Sequence, residues 1–188
     1  LPFIFLDTET SGLDPYIHDI TEIGAVFIDD KYTPDMKNRI FHKRLLLQNV
    51  DNADEVALEI GHYNDSIWEK TGVEAENGMT EFNDWLRKVS PSDKPTIVAQ
   101  NAEFDKSMLF SNADRFRVYP FVNNTWYDLI ALWITYKHKN KLTHLGDSQG
   151  VIARHFGVKN PKAHAALTDA ATGAMCFCKM MRKLEFKD

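Results

Sequence analysis

The chain has 188 residues, 44% of them hydrophobic, and a formal net charge of −5. That length suits a single domain over 1–188, and the acidic balance excludes binding to nucleic acid through bulk charge alone, although a local basic patch can act against an acidic background. No apolar run approaches membrane-span length and no secretory leader is visible; the two cysteines, Cys176 and Cys178, fall on different faces of a helical pattern and are expected as inert core thiols of an intracellular, cytoplasmic protein.

In chain order, Phe3 to Asp7 predicts a first strand, Glu22 to Ile28 a second and Arg39 to Leu47 a third. "YTPDMKN" between the last two reads as a turn, so these three are expected to run antiparallel. Asp54 to Gly61 predicts a short helix, and Thr80 to Val89 another, with Phe82, Trp85, Leu86 and Val89 at helical spacing. "SPSDKP" breaks it before a short apolar strand, Thr96 to Ala99. Asp105 to Asn112 reads helical, Asn124 to Tyr127 as a short strand, and Asp128 as the cap of the next helix. Leu142 to Phe156 is helical in pattern and "GVKNPKAH" a loop. Apolar residues from Leu167 to Leu184 at three- and four-residue steps predict a last helix. Three strands followed by alternating helices and strands imply an α/β domain with a mixed sheet.

"LPFIFLDTETSGLDP" opens the chain, and its greasy run ends in two acids, Asp7 and Glu9. With a period of two, both point the same way if the strand persists. Like charges held together near a core are costly, and a hard divalent cation removes that cost. Taken alone, the pair reads first as solvated acids at a strand end or as a cap of the turn before Gly12. "AQNAEFDKSM" places Asp105 near a helix start, where the dipole favours an acid in any protein. "HAALTDAA" sets Asp169 among small apolar residues, where a carboxylate needs a partner; His164, five residues earlier, reads alone as a loop histidine.

Together the three pieces resemble the DEDD exonuclease superfamily in its histidine-containing, DnaQ-like branch of 3′→5′ exonucleases. Asp7-Thr8-Glu9 is similar to its first motif, Asn101-Ala102-Glu103-Phe104-Asp105 to its second, and His164 with Asp169 to its third. "EIGAV", Glu22 to Val26, resembles the second strand of the family. Gln100 stands where many relatives carry histidine, and 51–72 departs from the usual pattern.

The resemblance implies a ribonuclease H-like fold with a mixed sheet of about five strands. It implies two Mg²⁺ or Mn²⁺ ions and release of nucleoside 5′-monophosphates from a 3′ end. Asp7 is then the ligand shared by both ions, Glu9 and Asp169 complete one ion's site, Asp105 supports the other, and His164 is the general base. Thr8, Thr10, Leu13, Ile60, Phe104 and His164 are the expected substrate contacts, Phe104 reading equally as a core residue. "KHKNK", Lys137 to Lys141, reads first as a solvated helix end and second as a grip on upstream phosphates. The expected partner is a single-stranded 3′ end, DNA before RNA, with a DNA polymerase or replication complex as a further partner and no membrane. An exoribonuclease and a catalytically silent polymerase-associated module are the alternatives.

Overall fold

The computed structural model describes residues 2–160 and 164–184; part of the loop expected over 157–164 lies outside these. Five strands, β1 (Phe3–Thr10), β2 (Ile20–Ile28), β3 (Ile40–Arg44), β4 (Thr96–Ala99) and β5 (Tyr127–Asp128), form one sheet in the order β3-β2-β1-β4-β5. β1 and β3 flank β2 antiparallel, whereas β4 runs parallel to β1 and β5 parallel to β4. This is the mixed α/β sheet of the ribonuclease H-like architecture.

Alternation along β1 decides which helices cover which face. Ile4 and Leu6 join a core with Ala75, Met79, Phe82 and Leu86 of α3 (Ala75–Val89) and Met108, Leu109 and Ala113 of α4 (Ala102–Phe116). Phe5 points the other way, into a core with α5 (Leu129–Lys139), α6 (Gln149–Phe156) and α7 (Ala166–Leu184). Ile4, Phe5 and Leu6 are fully buried, each worth about 1.5–3 kcal/mol, so β1 is a firm base for the acids near its end. Both cysteines are buried and free, and burial pushes each thiol up to about 12.

Some elements depart from the sequence pattern. α3 begins at Ala75 rather than Thr80; Gly78 hides the helical signal because its first turn lies against Leu45, whose side chain would stand 2.1 Å from a Cβ there. Before it lie α1 (Glu55–Ile60), capped by Asp54, and an unexpected α2 (Asp65–Thr71), capped by Asn64. α2 buries Trp68, whose indole N–H donates to the Thr21 carbonyl at 2.9 Å. β3 stops at Arg44, short of the expected Leu47, because Leu45 bridges to Val73 instead.

The helix expected from Leu142 starts only at Gln149. Two buried side chains of α5 hold the preceding stretch in turns: the Trp133 indole donates to the Gly146 carbonyl at 3.0 Å and the Lys137 ammonium to the Leu145 carbonyl at 2.9 Å. Lys137 also pairs with Asp147. It is therefore a buried strut and not part of a solvated basic end, which begins only at His138. Among the described residues no helix is long and apolar enough to cross a membrane.

Candidate active site

β1 persists to Thr10, so Asp7 and Glu9 emerge together on the face covered by α7. Asp169 lies in the first turn of α7. One carboxylate oxygen from each of Asp7, Glu9 and Asp169 lies within 4.8 Å of the other two. Gly24 of β2, directly opposite Asp7, makes this possible. A Cβ on Gly24 would stand 2.2 Å from the Ala166 carbonyl carbon and 2.3 Å from the Leu167 nitrogen. The bare backbone lets the start of α7 rest on the sheet and delivers Asp169 to the acids of β1.

Asp105 arrives from the opposite side. Asn101 caps α4 in the left-handed conformation, which asparagine tolerates better than most residues. Asp105 follows in the first turn, buried, and its Oδ1 accepts from the Thr8 amide at 3.0 Å and the Thr8 hydroxyl at 2.8 Å. Thr8 alternates away from Asp7 and Glu9, so both its donors serve Asp105. Both donors of Thr8 are thus engaged within the protein.

The acids raise one another. Burial first, then Asp105, Glu9, Asp169 and Glu22, hold Asp7 well above the usual carboxylate range. Burial, Asp169, Glu22 and Asp105 push Glu9 up to about 8. Burial lifts Asp105 to about 7 against the opposing pull of its Thr8 hydrogen bonds. A site that presses protons onto carboxylates at neutral pH is one a divalent cation relieves.

Glu22 is the acid that sequence reasoning passed over. It stands opposite Glu9 in the β1–β2 register, is buried, pairs with His42 and accepts from the Ala166 amide at 3.3 Å. An acid inside the otherwise apolar "ITEIGAVFI" was its signal. The Asp169 partners Asn160 and Gln149 carried none. Asn160 donates to Asp169 Oδ1 at 3.0 Å, the His164 backbone N–H to Oδ2 at 2.7 Å, and Gln149 to the Asp169 carbonyl at 3.0 Å.

His164 is exposed at the rim, with a positive φ of 64° and its ring centre 6.4 Å from that of His62. It shares a cavity of about 430 Å³ with Asp7, Gln100, Gln149, Asn160 and Asp169. Thr10 is buried and its hydroxyl donates to the Gly12 carbonyl at 2.8 Å, bracing the turn that presents Leu13. Leu13 is 79% exposed and Ile60, at the end of α1, 50%. Phe104 packs half-buried against the core on the α3–α4 face.

A sheet of this order, with acids at the end of β1 and in the first turns of α4 and α7, is a ribonuclease H-like fold with a gathered acidic site. A family model for exonucleases, RNase_T, matches residues 4–177, and the chain belongs to that family. Ribonuclease T of Wigglesworthia glossinidia brevipalpis is 25% identical over 187 residues, covering 96% of this chain and 84% of that protein. The PolC-type DNA polymerase III of Staphylococcus haemolyticus (strain JCSC1435) is 24% identical over 184 residues, covering 97% of this chain and 12% of the polymerase. E. coli exonuclease I bound to a dT13 oligonucleotide has the same fold, with a TM-score of 0.77 at 15% identity over 96% of this chain and 41% of that one. Cell-death related nuclease 4 gives a TM-score of 0.80 at 13% identity over 97% of this chain and 64% of its own. The chain thus corresponds to less than half of exonuclease I and to a small part of the polymerase.

Proposed function

We propose that this chain removes nucleotides stepwise from the 3′ end of single-stranded DNA, with two Mg²⁺ or Mn²⁺ ions and release of nucleoside 5′-monophosphates. The carrying observation is the gathering of Asp7, Glu9 and Asp169 at one point, with Asp105 beside them on Thr8. The donors there are carboxylate oxygens, without sulfur, and this chemistry suits a hard cation. Such ions, when bound, acidify water and stabilise charge on the phosphate and the leaving oxygen.

The residues divide the remaining work. Asp7 would be the ligand shared by the two ions, and Glu9 and Asp169 would complete the site of one. Asp105 offers Oδ2 to the second, since Oδ1 is occupied by Thr8. His164, at the rim, receives the proton of the attacking water. Leu13 and Ile60 are exposed apolar side chains suited to the terminal base and sugar, with Thr10 shaping the turn beneath and Phe104 backing Asp105 from the core. DNA is placed first on the likeness in fold to exonuclease I, whose structure holds an oligonucleotide of thymidine. The match to a PolC-type polymerase supports a polymerase or replication complex as partner. The buried free thiols support an intracellular, cytoplasmic setting.

The test is incubation of 5′-labelled single-stranded DNA and RNA with the protein and Mg²⁺ or Mn²⁺. Stepwise shortening of DNA, abolished by chelator and by Asp7→Ala, is expected. Full activity in Asp7→Ala or His164→Ala would overturn the assignment. The match to ribonuclease T over most of its length favours a second reading, trimming of RNA; shortening of RNA alone would establish it in place of the first.

A further inference from the structure

We propose that Asn160, backed by Gln149, is a positioning residue that presets the Asp169 carboxylate to receive a cation; this rests on the reading of Asp169 as a metal ligand. Asn160 lies in the loop after α6, and Gln149 is the first residue of α6. Their side chains converge with Asp169 in one cavity.

The hydrogen bonds leave each amide one orientation. Asn160 Nδ2 donates to Asp169 Oδ1 at 3.0 Å and also reaches Gln149 Oε1 at 3.3 Å. Turning the Asn160 amide over would set its oxygen against two acceptors. Gln149 Nε2 donates to the Asp169 main-chain carbonyl at 3.0 Å, so turning Gln149 over would oppose two donors and two acceptors. With the His164 N–H on Oδ2 at 2.7 Å, both carboxylate oxygens are held, and each keeps a lone pair for a cation.

Stability alone does not account for this arrangement. Committing the Asn160 amide to Asp169 leaves its Oδ1 buried with no protein partner. A buried acceptor left unpaired is a cost to the fold. An apolar residue of similar size would avoid that cost, losing the bond to Asp169 and the longer one to Gln149. Carboxamides that orient a metal ligand typically change metal affinity by about 10–100-fold when removed.

The experiment measures Mn²⁺ binding to the full chain by electron paramagnetic resonance, beside thermal unfolding in chelator. Asn160→Leu is expected to lower the affinity of one Mn²⁺ about tenfold or more, with an unfolding midpoint equal to or above that of the wild type. Gln149→Leu, which removes the backing but not the direct bond, is expected to lower it less. The double variant is expected to lose less than the sum of the two single losses, since Gln149 acts in part through Asn160. Wild-type Mn²⁺ affinity in Asn160→Leu overturns the proposal, and so does loss of affinity in both single variants only in step with a lowered unfolding midpoint. Additive losses in the double variant overturn the part assigned to Gln149. A wild-type chain that binds no Mn²⁺ overturns the exonuclease reading itself, which separates that failure from one confined to Asn160.

Discussion

Thr8 gives both its backbone N–H and its hydroxyl to one oxygen of Asp105, at 3.0 and 2.8 Å. The strand that carries Asp7 and Glu9 on one face thereby aims a third acid with the residue between them. Thr8→Val keeps the shape and the amide but deletes the hydroxyl. A fall in kcat of roughly tenfold is expected, with KM for an oligonucleotide little changed and about 1 kcal/mol of stability lost. Steady-state kinetics with Thr8→Ser, which restores the donor, are expected to return most of the rate.

Asp7 is crowded by Glu9, Asp105, Asp169 and Glu22, all of which raise it. Asp7→Asn removes the acid at the centre of that repulsion. Hydrolysis is expected to fall by at least about 10³-fold, because the shared ligand is gone. In chelator the same variant is expected to unfold at a higher urea concentration than the wild type. A lower midpoint would show that the carboxylate contributes more to the fold than its repulsion costs.

Glu9 titrates at about 8 and Asp105 at about 7 in the metal-free site. Both lie above their values in an unfolded chain, so the folded state holds the extra protons between about pH 4 and pH 8. The stability this confers is fully present below the unfolded values and is lost as pH rises through 7 to 8. In chelator the melting temperature is expected to be lower at pH 8.5 than at pH 5.5, and Mg²⁺ to restore more at the higher pH. Near pH 7 cation binding is expected to release protons, which calorimetry in two buffers of different ionisation heat measures.

Gly24→Ala puts a methyl group into the backbone of Ala166 and Leu167. A loss of about 1–3 kcal/mol is expected, with a greater proportional loss of activity than of folded protein, since α7 carries Asp169. Gly150→Ala in α6 is the contrast: nothing lies within 4 Å of its Cβ. Chemical denaturation is expected to show that variant unchanged or up to about 1 kcal/mol more stable.

The sheet was legible because alternation in "FIFLDTET" and the apolar stripe of α7 are local patterns, whereas the four acids stood out only through the resemblance their three motifs carry together. Asp128 was legible as a cap for the same reason, and it accepts from the Ile130 amide at 2.7 Å. What sequence missed depends on distant partners. Lys137 looked like one of several solvated cations, yet it is buried and held by one carbonyl eight residues further on and by Asp147. The Thr8–Asp105 bonds join residues far apart along the chain. α2 has a single buried anchor, Trp68, too little for a visible period.

The close seating of α7 on Gly24 has a consequence for how the protein comes into being. Asp7 belongs to the first strand and Asp169 to the last helix, so the reactive centre exists only after the two ends of the fold have met. The charge of Asp169 raises both Asp7 and Glu9, so the repulsion within the site works against the contact that assembles it. A divalent ion that binds only the assembled site would draw the folding equilibrium toward it. The gathered acids and the packing of α7 on the sheet are then assembled together, and on the proposed function a chain with α7 undocked would be inert.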